Sequence, residues 1–289
     1  MNAQPPRPLL SQAGLENIHR VEAFDEQGAR QEVFIAGESP LTIYLDKREV
    51  VTLMTLGVRP ELLTLGYLHN QGFIERIDQV RSIQVDWEVE AVAVVTENGV
   101  SGLDEKLAHR TVTTGCGQGT VFGGLMEKIE ATTLTPQPVP QSQIYGLLEN
   151  LRLENEVYKR AGGVHGCALC EGTRVLSFVE DVGRHNAVDT LAGEMLLEGW
   201  SGADKVFYTT GRLTSEMVIK VAQMGISTLI SRSGVTRMGM AVASQVGITL
   251  IGRAKGRHFL VFNGHDQVRY DQVPAPMAKS QKQSQPQRA

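Results

Sequence analysis

Apolar residues in the first third of the chain alternate or cluster in patterns that predict a small α+β unit. The segments VFIA, LTIYL and VVTLMTL predict strands, and residues 83–89 alternate apolar and polar side chains over a further strand. A helix is predicted between them from Pro60, a favoured first helical residue, to Gly72. We therefore expect a β-rich N-terminal domain over residues 30–130.

The pattern changes after residues 131–143, where three prolines among polar residues predict a linker. Over residues 144–272, strands alternate with helices, which predicts an α/β domain with a mainly parallel sheet covered by helices on both faces. Ligands of such sheets bind beyond the carboxyl ends of the strands. Residues 1–29 and 273–289 are poor in clustered apolar residues, and we expect both to be disordered.

The composition of the 289 residues excludes some classes of function. A formal net charge of −4 gives no electrostatic reason to expect nucleic acid or an anionic membrane surface as a partner. No apolar run is long enough to span a bilayer, and the N-terminus lacks the pattern of a signal peptide. Together with only three cysteines, this predicts a cytoplasmic protein in a reducing compartment, whose thiols are core residues, metal ligands or reactive groups.

The segment TTGCGQGT places Cys116 among three glycines. Glycine allows unusual backbone angles and close approach of another molecule, and successive amide N–H groups in such a loop can stabilise a thiolate. The alternative is a glycine turn that contains a small buried cysteine. Cys116 is our candidate for a reactive thiol.

A second candidate segment, FVEDVGRHNAVD, leads from a strand end into a helix at Arg184 and His185. A helix N-terminus at such a position can hold phosphate or pyrophosphate, and Arg184 can add bidentate contacts. The carboxylates of Glu180 and Asp181 suit the N–H edge of a guanine ring. Helix capping by Asp181 and a surface ion pair of Arg184 explain the same residues without a ligand.

Three further segments carry weaker signals. The first is a basic turn between two apolar strands, which suits an anionic ligand or a solvated hairpin tip: Arg253, Ala254, Lys255, Gly256, Arg257 and His258. In VHGCALCEG, Cys167 and Cys170 follow a histidine, which suits zinc or a dithiol, although packing in the core explains two small side chains equally well. In TTGRLTSEM, Thr214 and Ser215 are helix-cap candidates, and Arg212 is the residue most suited to touch a ligand.

Taken together and in this order, these segments resemble the formate dehydrogenase accessory sulfurtransferase family, FdhD, over residues 30–270. The most specific segments are TTGCG, AGGVH, EDVGRHNAVD, TTGRLTSEM and GITLIGRAKGRHFLVFNG. The resemblance implies a β-rich N-terminal domain and a C-terminal three-layer domain like that of cytidine deaminases, without their zinc.

The resemblance also implies a function. Family members take sulfur from a cysteine desulfurase and deliver it to the molybdenum bis-guanine-dinucleotide cofactor for formate dehydrogenase. The transferable sulfur is carried on a cysteine that matches Cys116, and the cofactor-binding stretch matches residues 253–258. No permanent metal is implied, and a homodimer is plausible. Many relatives have a second cysteine three positions after the first, where this chain has Gly119, so a disulfide within the loop is not available here.

Two other functions fit the residues. One is a chaperone that binds the cofactor and delivers it without sulfur chemistry. The other is a zinc or redox module at Cys167 and Cys170. Substitution of Cys116 by serine distinguishes the first from sulfur transfer, and metal analysis tests the second.

Overall fold

The computed structural model describes residues 7–103, 105, 111–112, 119–120 and 133–273. The described N-terminal elements, in chain order, are β1 (Leu9–Leu10), β2 (Ile18–Phe24), β3 (Arg30–Ala36), β4 (Ser39–Leu45), β5 (Arg48–Thr55), α1 (Pro60–Asn70), a 3-10 turn (Ile77–Gln79), β6 (Val80–Asp86) and β7 (Ala91–Thr96). Two short strands, β8 (Thr111–Val112) and β9 (Gly119–Thr120), follow.

A five-stranded sheet in the order β1-β6-β7-β4-β5 forms the N-terminal unit. Alternation along β4 buries Leu41, Ile43 and Leu45 completely. These residues pack against Leu65 and Leu68 of α1, the helix predicted to begin at Pro60. The described part therefore contains the strands, single helix and further strands that the apolar pattern predicts.

The segment before residue 30, which we expected to be disordered, contains β1 and β2. β2 pairs with β3 as an antiparallel hairpin from Ile18↔Ala36 to Phe24↔Arg30. The connecting turn is stabilised by Asp25, whose carboxylate accepts hydrogen bonds from the backbone N–H groups of Gln27 (3.0 Å) and Ala29 (2.9 Å). The expectation was wrong for this segment because the hairpin is largely exposed and needs few apolar residues.

The C-terminal elements are β10 (Val139–Pro140), α2 (Gln141–Glu154), α3 (Glu156–Ala161), β11 (His165–Glu171), β12 (Arg174–Asp181), α4 (Arg184–Glu198), β13 (Val206–Thr209), α5 (Ser215–Gln223), β14 (Thr228–Ser231), α6 (Arg237–Val246), β15 (Thr249–Lys255), β16 (His258–Asn263), a 3-10 turn (His265–Gln267) and β17 (Val268–Arg269). β10 pairs with β17, and α2 begins within the predicted linker.

A six-stranded sheet in the order β12-β11-β13-β14-β15-β16 lies between two helical layers. Helices α4, α5 and α6 pack on one face, and α2 packs on the other. β13, β14 and β15 are mutually parallel, but β11, β12 and β16 run antiparallel to their neighbours. The sheet is mixed rather than mainly parallel, because the two-residue turn at Gly172 joins β11 to β12 as a hairpin.

The two units share a close helix crossing between α1 and α4. A Cβ atom added to Gly66 would lie 1.7 Å from the carbonyl oxygen of Asp189, and one added to Gly193 would lie 2.0 Å from that of Leu62. Beside the crossing, the Asn70 side chain donates to Asp189 at 2.6 Å. Backbone contact at these glycines fixes the position of α4, whose first turn carries candidate site residues.

Candidate functional site

The candidate loops of the C-terminal unit meet at one edge of its sheet. β13 and β14 are parallel, so their carboxyl ends share this edge, and the antiparallel β11 begins there at His165. The Thr210 N–H donates to the Gly166 carbonyl at 2.8 Å, and the Arg232 N–H donates to the Thr209 carbonyl at 3.2 Å. This is the edge at which α/β sheets bind ligands.

Glu180 and Asp181, proposed above as groups that read guanine, are both engaged by the protein. Glu180 accepts hydrogen bonds from the N–H groups of Val157 (2.8 Å) and Tyr158 (2.9 Å) at the start of α3. Asp181 accepts four hydrogen bonds within 3.1 Å, from the N–H groups of Leu56 and Gly183 and from two side chains (Thr55 and Asn186). The guanine hypothesis is wrong for Asp181, because its carboxylate is buried and its four acceptor sites are all occupied by protein donors. For Glu180 it stays a prediction.

Arg184 is the first residue of α4 and is only 6% exposed. Its side chain runs along Gly211, where an added Cβ would lie 3.0 Å from Arg184 Cδ. Its Nε atom has no hydrogen-bond partner among the residues that the structure describes. A buried arginine without a protein acceptor is rare, so the hypothesis of a surface ion pair is wrong here.

His185 is 2% exposed, and its Nε2 lies 3.5 Å from Oε2 of Glu216. Burial, with the positive charges of Lys220 and Arg184 nearby, lowers the pKa of His185 to about 2. The imidazole is therefore neutral at physiological pH and can act as a hydrogen-bond donor or acceptor without charge.

The predicted basic turn forms part of a cavity of about 620 Å³. Residues 254–257 line it at the β15–β16 connection, and α2 forms another wall. Arg253 adopts a left-handed backbone conformation (φ 53°), and its N–H donates to the Ser233 carbonyl at 2.8 Å. The structure thus brings four of the six predicted residues to the cavity, whereas Arg253 and His258 are exposed beside it.

The cavity has a cationic rim and aromatic walls. Its cations are Arg152, Arg232, Lys255 and Arg257, and its aromatic residues are Tyr145 and Tyr208. The Arg257 guanidinium lies 5.8 Å from the Tyr145 ring centroid, and that of Arg232 lies 5.4 Å from the Tyr158 ring centroid. Cations that surround aromatic side chains suit a ligand with phosphate groups and a planar ring.

Arg232 and Arg152 are candidate residues that the sequence reasoning missed. Arg232 directly follows β14 at the carboxyl edge, in the same relation to its strand as Thr210 has to β13. The rule that ligands bind beyond the carboxyl ends of the strands would have indicated Arg232 from the sequence. Arg152 contributes to the cavity only because α2 packs on the sheet, which no local motif indicates.

Cys167 and Cys170 face opposite sides of β11. Cys167 packs among residues of α4 and α5, and Cys170 packs on the side covered by α2. Both are fully buried, and burial raises the pKa of each thiol to about 12. Residues three apart in a strand point to opposite faces, so these sulfurs do not form a common metal or dithiol site, and the hypothesis of a zinc or redox module at this pair is wrong.

Cys116 lies outside the described residues. β8 and β9 flank its segment and pair antiparallel, with Val112 opposite Gly119. Among the described residues, no cluster of histidine, cysteine or acidic side chains has the geometry to hold a metal ion. Within the same residues, no helix is both long and apolar enough to cross a membrane.

Comparison with known proteins decides the family. The model of the FdhD/NarQ family matches residues 36–269, which is most of the chain. This chain belongs to the FdhD/NarQ family. Its FdhD relatives include proteins named sulfur carrier protein FdhD from Bacillus subtilis (31% identical, covering 84% of this chain and 94% of the relative) and Listeria monocytogenes serotype 4b (29% identical, covering 88% and 97%).

A solved structure shows the same fold. The chain is similar to a crystal structure described as a formate dehydrogenase accessory protein from Desulfotalea psychrophila. The TM-score is 0.69 at 27% identity, over 87% of this chain and 98% of that one. The resemblance to FdhD inferred from the motifs is confirmed, and with it the α/β fold class and an association of the family with sulfur carriage and formate dehydrogenase.

Proposed function

We propose that this FdhD chain accepts sulfur from a cysteine desulfurase on Cys116 and transfers it to the molybdenum bis-guanine-dinucleotide cofactor for insertion into formate dehydrogenase. The observation that supports cofactor binding most is the cavity with residues 254–257, Arg152 and Arg232 around it. Its volume suits a nucleotide, and its cations suit pyrophosphate. We further propose that the protein acts in the cytoplasm as a homodimer.

Cys116 is the carrier in this proposal. Its thiolate attacks the terminal sulfur of the desulfurase persulfide and releases the desulfurase thiolate, which leaves a persulfide on Cys116. The S–S bond would then break as the terminal sulfur bonds to the metal of the cofactor, the metal would be oxidised by two electrons, and Cys116 would leave as a thiolate. Gly119 in place of a second loop cysteine means that Cys116 is not released by a disulfide within the loop.

The cofactor would lie along the carboxyl edge of the C-terminal sheet. The cavity receives one nucleotide arm, with the cations of the turn on its pyrophosphate. Arg253 and His258 flank the four turn residues that line the cavity, and Arg184 and His185 lie on the neighbouring part of the same edge. The left-handed backbone of Arg253 fits this role, because such conformations in residues other than glycine persist where function requires them.

Activation of apo-formate dehydrogenase tests sulfur transfer. Wild type with desulfurase and cysteine should activate the enzyme, and mass spectrometry should find added sulfur on the Cys116 peptide. Cys116→Ser should bind the cofactor but fail to activate. Activation by Cys116→Ser would instead support a chaperone that delivers the cofactor without sulfur chemistry.

A further inference from the structure

Three buried polar atoms lie without partners where the N-termini of α4 and α5 meet. Arg184 Nε, His185 Nε2 and Thr214 Oγ1 are inaccessible to solvent, and none makes a hydrogen bond to a described residue, His185 Nε2 lying 3.5 Å from Glu216 Oε2. Thr214 occupies the N-cap position of α5, yet its side chain makes no capping hydrogen bond. Buried polar groups are nearly always paired, so three unpaired atoms at the starts of two neighbouring helices indicate that a polar ligand completes this site.

The orphan atoms belong to one local structure. The Arg184 side chain packs along Gly211 of the β13–α5 loop, and His185 faces Glu216 on the first turn of α5. α4 has no side-chain cap at Gly183 and is 15 residues long. The positive end of its dipole therefore lies beside the buried guanidinium.

Positive charge dominates this part of the edge. Arg212 and Arg232 are exposed there, and within the described part of the chain neither they nor Arg184 form an ion pair. Burial and the charges of Arg184, Arg212 and Arg232 together lower the pKa of His165.

Within the described part of the chain, the nearby carboxylates form no ion pair with these arginines. Asp181 accepts four hydrogen bonds from the protein. Glu216 and Asp189 lie 3.9 Å and 2.8 Å from the ammonium group of the buried Lys220.

We propose that Arg184, His185 and Thr214 form a binding site for a tetrahedral dianion of the phosphate type, with Arg212 and Arg232 at its mouth. For brevity we call these five residues the α4 anion site. Arg184 donates from its Nε edge, the neutral His185 donates from Nε2, and the Thr214 hydroxyl adds a third contact. The site lies apart from the 620 Å³ cavity, whose described lining includes Arg232 but not the other four residues.

The α4 anion site extends the proposed function, and only the identity of the natural ligand rests on that proposal. Two sources have the required chemistry. One is a free oxyanion, and the other is a phosphate group of the nucleotide cofactor that reaches past Arg232 from the cavity. Direct binding measurements with small probes separate the two sources and do not depend on sulfur transfer.

Calorimetric titration of the full chain with inorganic phosphate and pyrophosphate tests the site. Arg212→Gln removes an exposed cation without disturbing the core, and Arg184→Lys keeps the charge but loses the Nε donor. Each should weaken binding about tenfold or more, as expected for a lost hydrogen bond to a charged group. Arg174→Gln is the matched control, because it removes an exposed arginine from the other end of β12 and should leave binding unchanged.

A second measurement reports on the site independently of affinity. A bound dianion offsets the cations around His165, so the pKa of His165, followed by NMR, should rise when phosphate is added to wild type. In Arg212→Gln the same rise should require about tenfold more phosphate. No saturable binding, or equal binding by Arg184→Lys, Arg212→Gln and Arg174→Gln, would overturn the proposal.

Competition with GDP identifies the source of the anion. If GDP displaces pyrophosphate and its own affinity falls in both Arg184→Lys and Arg257→Gln, the α4 anion site holds a nucleotide phosphate. If GDP and pyrophosphate bind together, the site takes a free oxyanion. Failure of GDP to bind at all would count against the proposed cofactor cavity while leaving the phosphate result intact.

Discussion

Burial determines the reactivity of individual thiols in this protein. Cys167 donates to Thr209 Oγ1 at 3.3 Å inside the core, and Cys170 lies in the opposite layer. Because the pKa of each is raised to about 12, almost no thiolate exists at pH 8. We expect iodoacetamide at pH 8 to leave both unmodified in the native protein and to alkylate both in denaturant, as measured by peptide mass spectrometry.

A double variant tests whether the two buried cysteines are needed for activation of formate dehydrogenase. Cys167→Ala/Cys170→Ala should still activate formate dehydrogenase, whereas Cys116→Ala should not. Alkylation of either buried cysteine at the native rate of an exposed thiol would contradict the burial argument. Loss of activation by a folded double variant would instead indicate that these sulfurs take part in transfer.

Glu149 is a candidate for the residue that distinguishes guanine from adenine. It is the one carboxylate among the described residues that line the cavity. A carboxylate accepts hydrogen bonds only, so it suits the two donors on the guanine edge and offers nothing equivalent to adenine. We expect Glu149→Gln to lower the affinity for GDP about tenfold and to change that for ADP little, as measured by calorimetry.

Glu156→Gln on the neighbouring helix α3 provides the control for this prediction, since Glu156 is exposed and lies outside the cavity lining. It should leave GDP binding unchanged. An equal loss of GDP and ADP affinity in Glu149→Gln would indicate that Glu149 shapes the cavity rather than reads the base.

At the scale of elements, the crossing of α1 and α4 depends on two glycines. An alanine Cβ at Gly66 would lie 1.7 Å from a backbone oxygen, and backbone cannot move aside as a flexible side chain can. Gly66→Ala should therefore lower the free energy of unfolding by about 3 kcal/mol or more, as measured by urea denaturation. Gly234→Ala, where an added Cβ meets no atom within 4 Å, should change it little. Equal losses of unfolding free energy in Gly66→Ala and Gly234→Ala would show that α1 and α4 can move apart at little cost.

The elements that sequence predicted best are those whose apolar pattern alone determines their burial. α1 begins at Pro60 as predicted, and the strand predicted over residues 83–89 appears in β6 as far as Asp86, after which residues 87–90 form a turn. β11 was missed because its fully buried run, from Gly166 to Cys170, does not alternate and also contains a cysteine motif that suggested chemistry. The predicted strand VFIA lies within β3, but its partner β2 was missed because it carries mostly exposed side chains.

At the scale of the whole molecule, the candidate site depends on contacts that sequence motifs do not contain. The basic turn and the segment around Arg184 were identified from local residues, because strand ends that lead into helices have recognisable sequences. Arg232 lies between these two segments, because it lines the cavity of the basic turn and also lowers the pKa of His165. The proximity of the two segments follows from the order of strands in the sheet, which local sequence does not specify.

Contacts between the two units also explain residues that resembled a binding motif. Asp181 binds Thr55 and Leu56 at the end of β5, and Asn186 donates to the Met54 carbonyl at 2.7 Å. Part of the segment EDVGRHNAVD therefore joins the units rather than contacting a ligand. Arg184 Nε has no such partner among the described residues. Within this one motif, Arg184 is therefore the residue suited to bind a ligand, whereas Asp181 and Asn186 hold the two units together.

The stability of the whole molecule should depend on His185 below pH 7. Its pKa is about 2 in the folded chain, mainly because of burial, and near 6.5 when unfolded. Between these values only the unfolded state binds the proton, so stability is fully present above about pH 6.5 and falls as the pH decreases. At about 1.4 kcal/mol per pH unit, this histidine alone should lower the free energy of unfolding by about 2 kcal/mol between pH 7 and pH 5.

Urea denaturation of three chains at pH 7 and pH 5 isolates this contribution. His185→Gln should lose about 2 kcal/mol less than wild type over the interval, whatever its stability at pH 7. His258→Gln, which changes an exposed histidine, should match the wild-type loss. Asp181 and Asp189, whose pKa values burial raises, act with the opposite sign but are present in all three chains. Equal losses in all three would mean that His185 is protonated in the folded state, and a neutral donor in the α4 anion site would then be excluded.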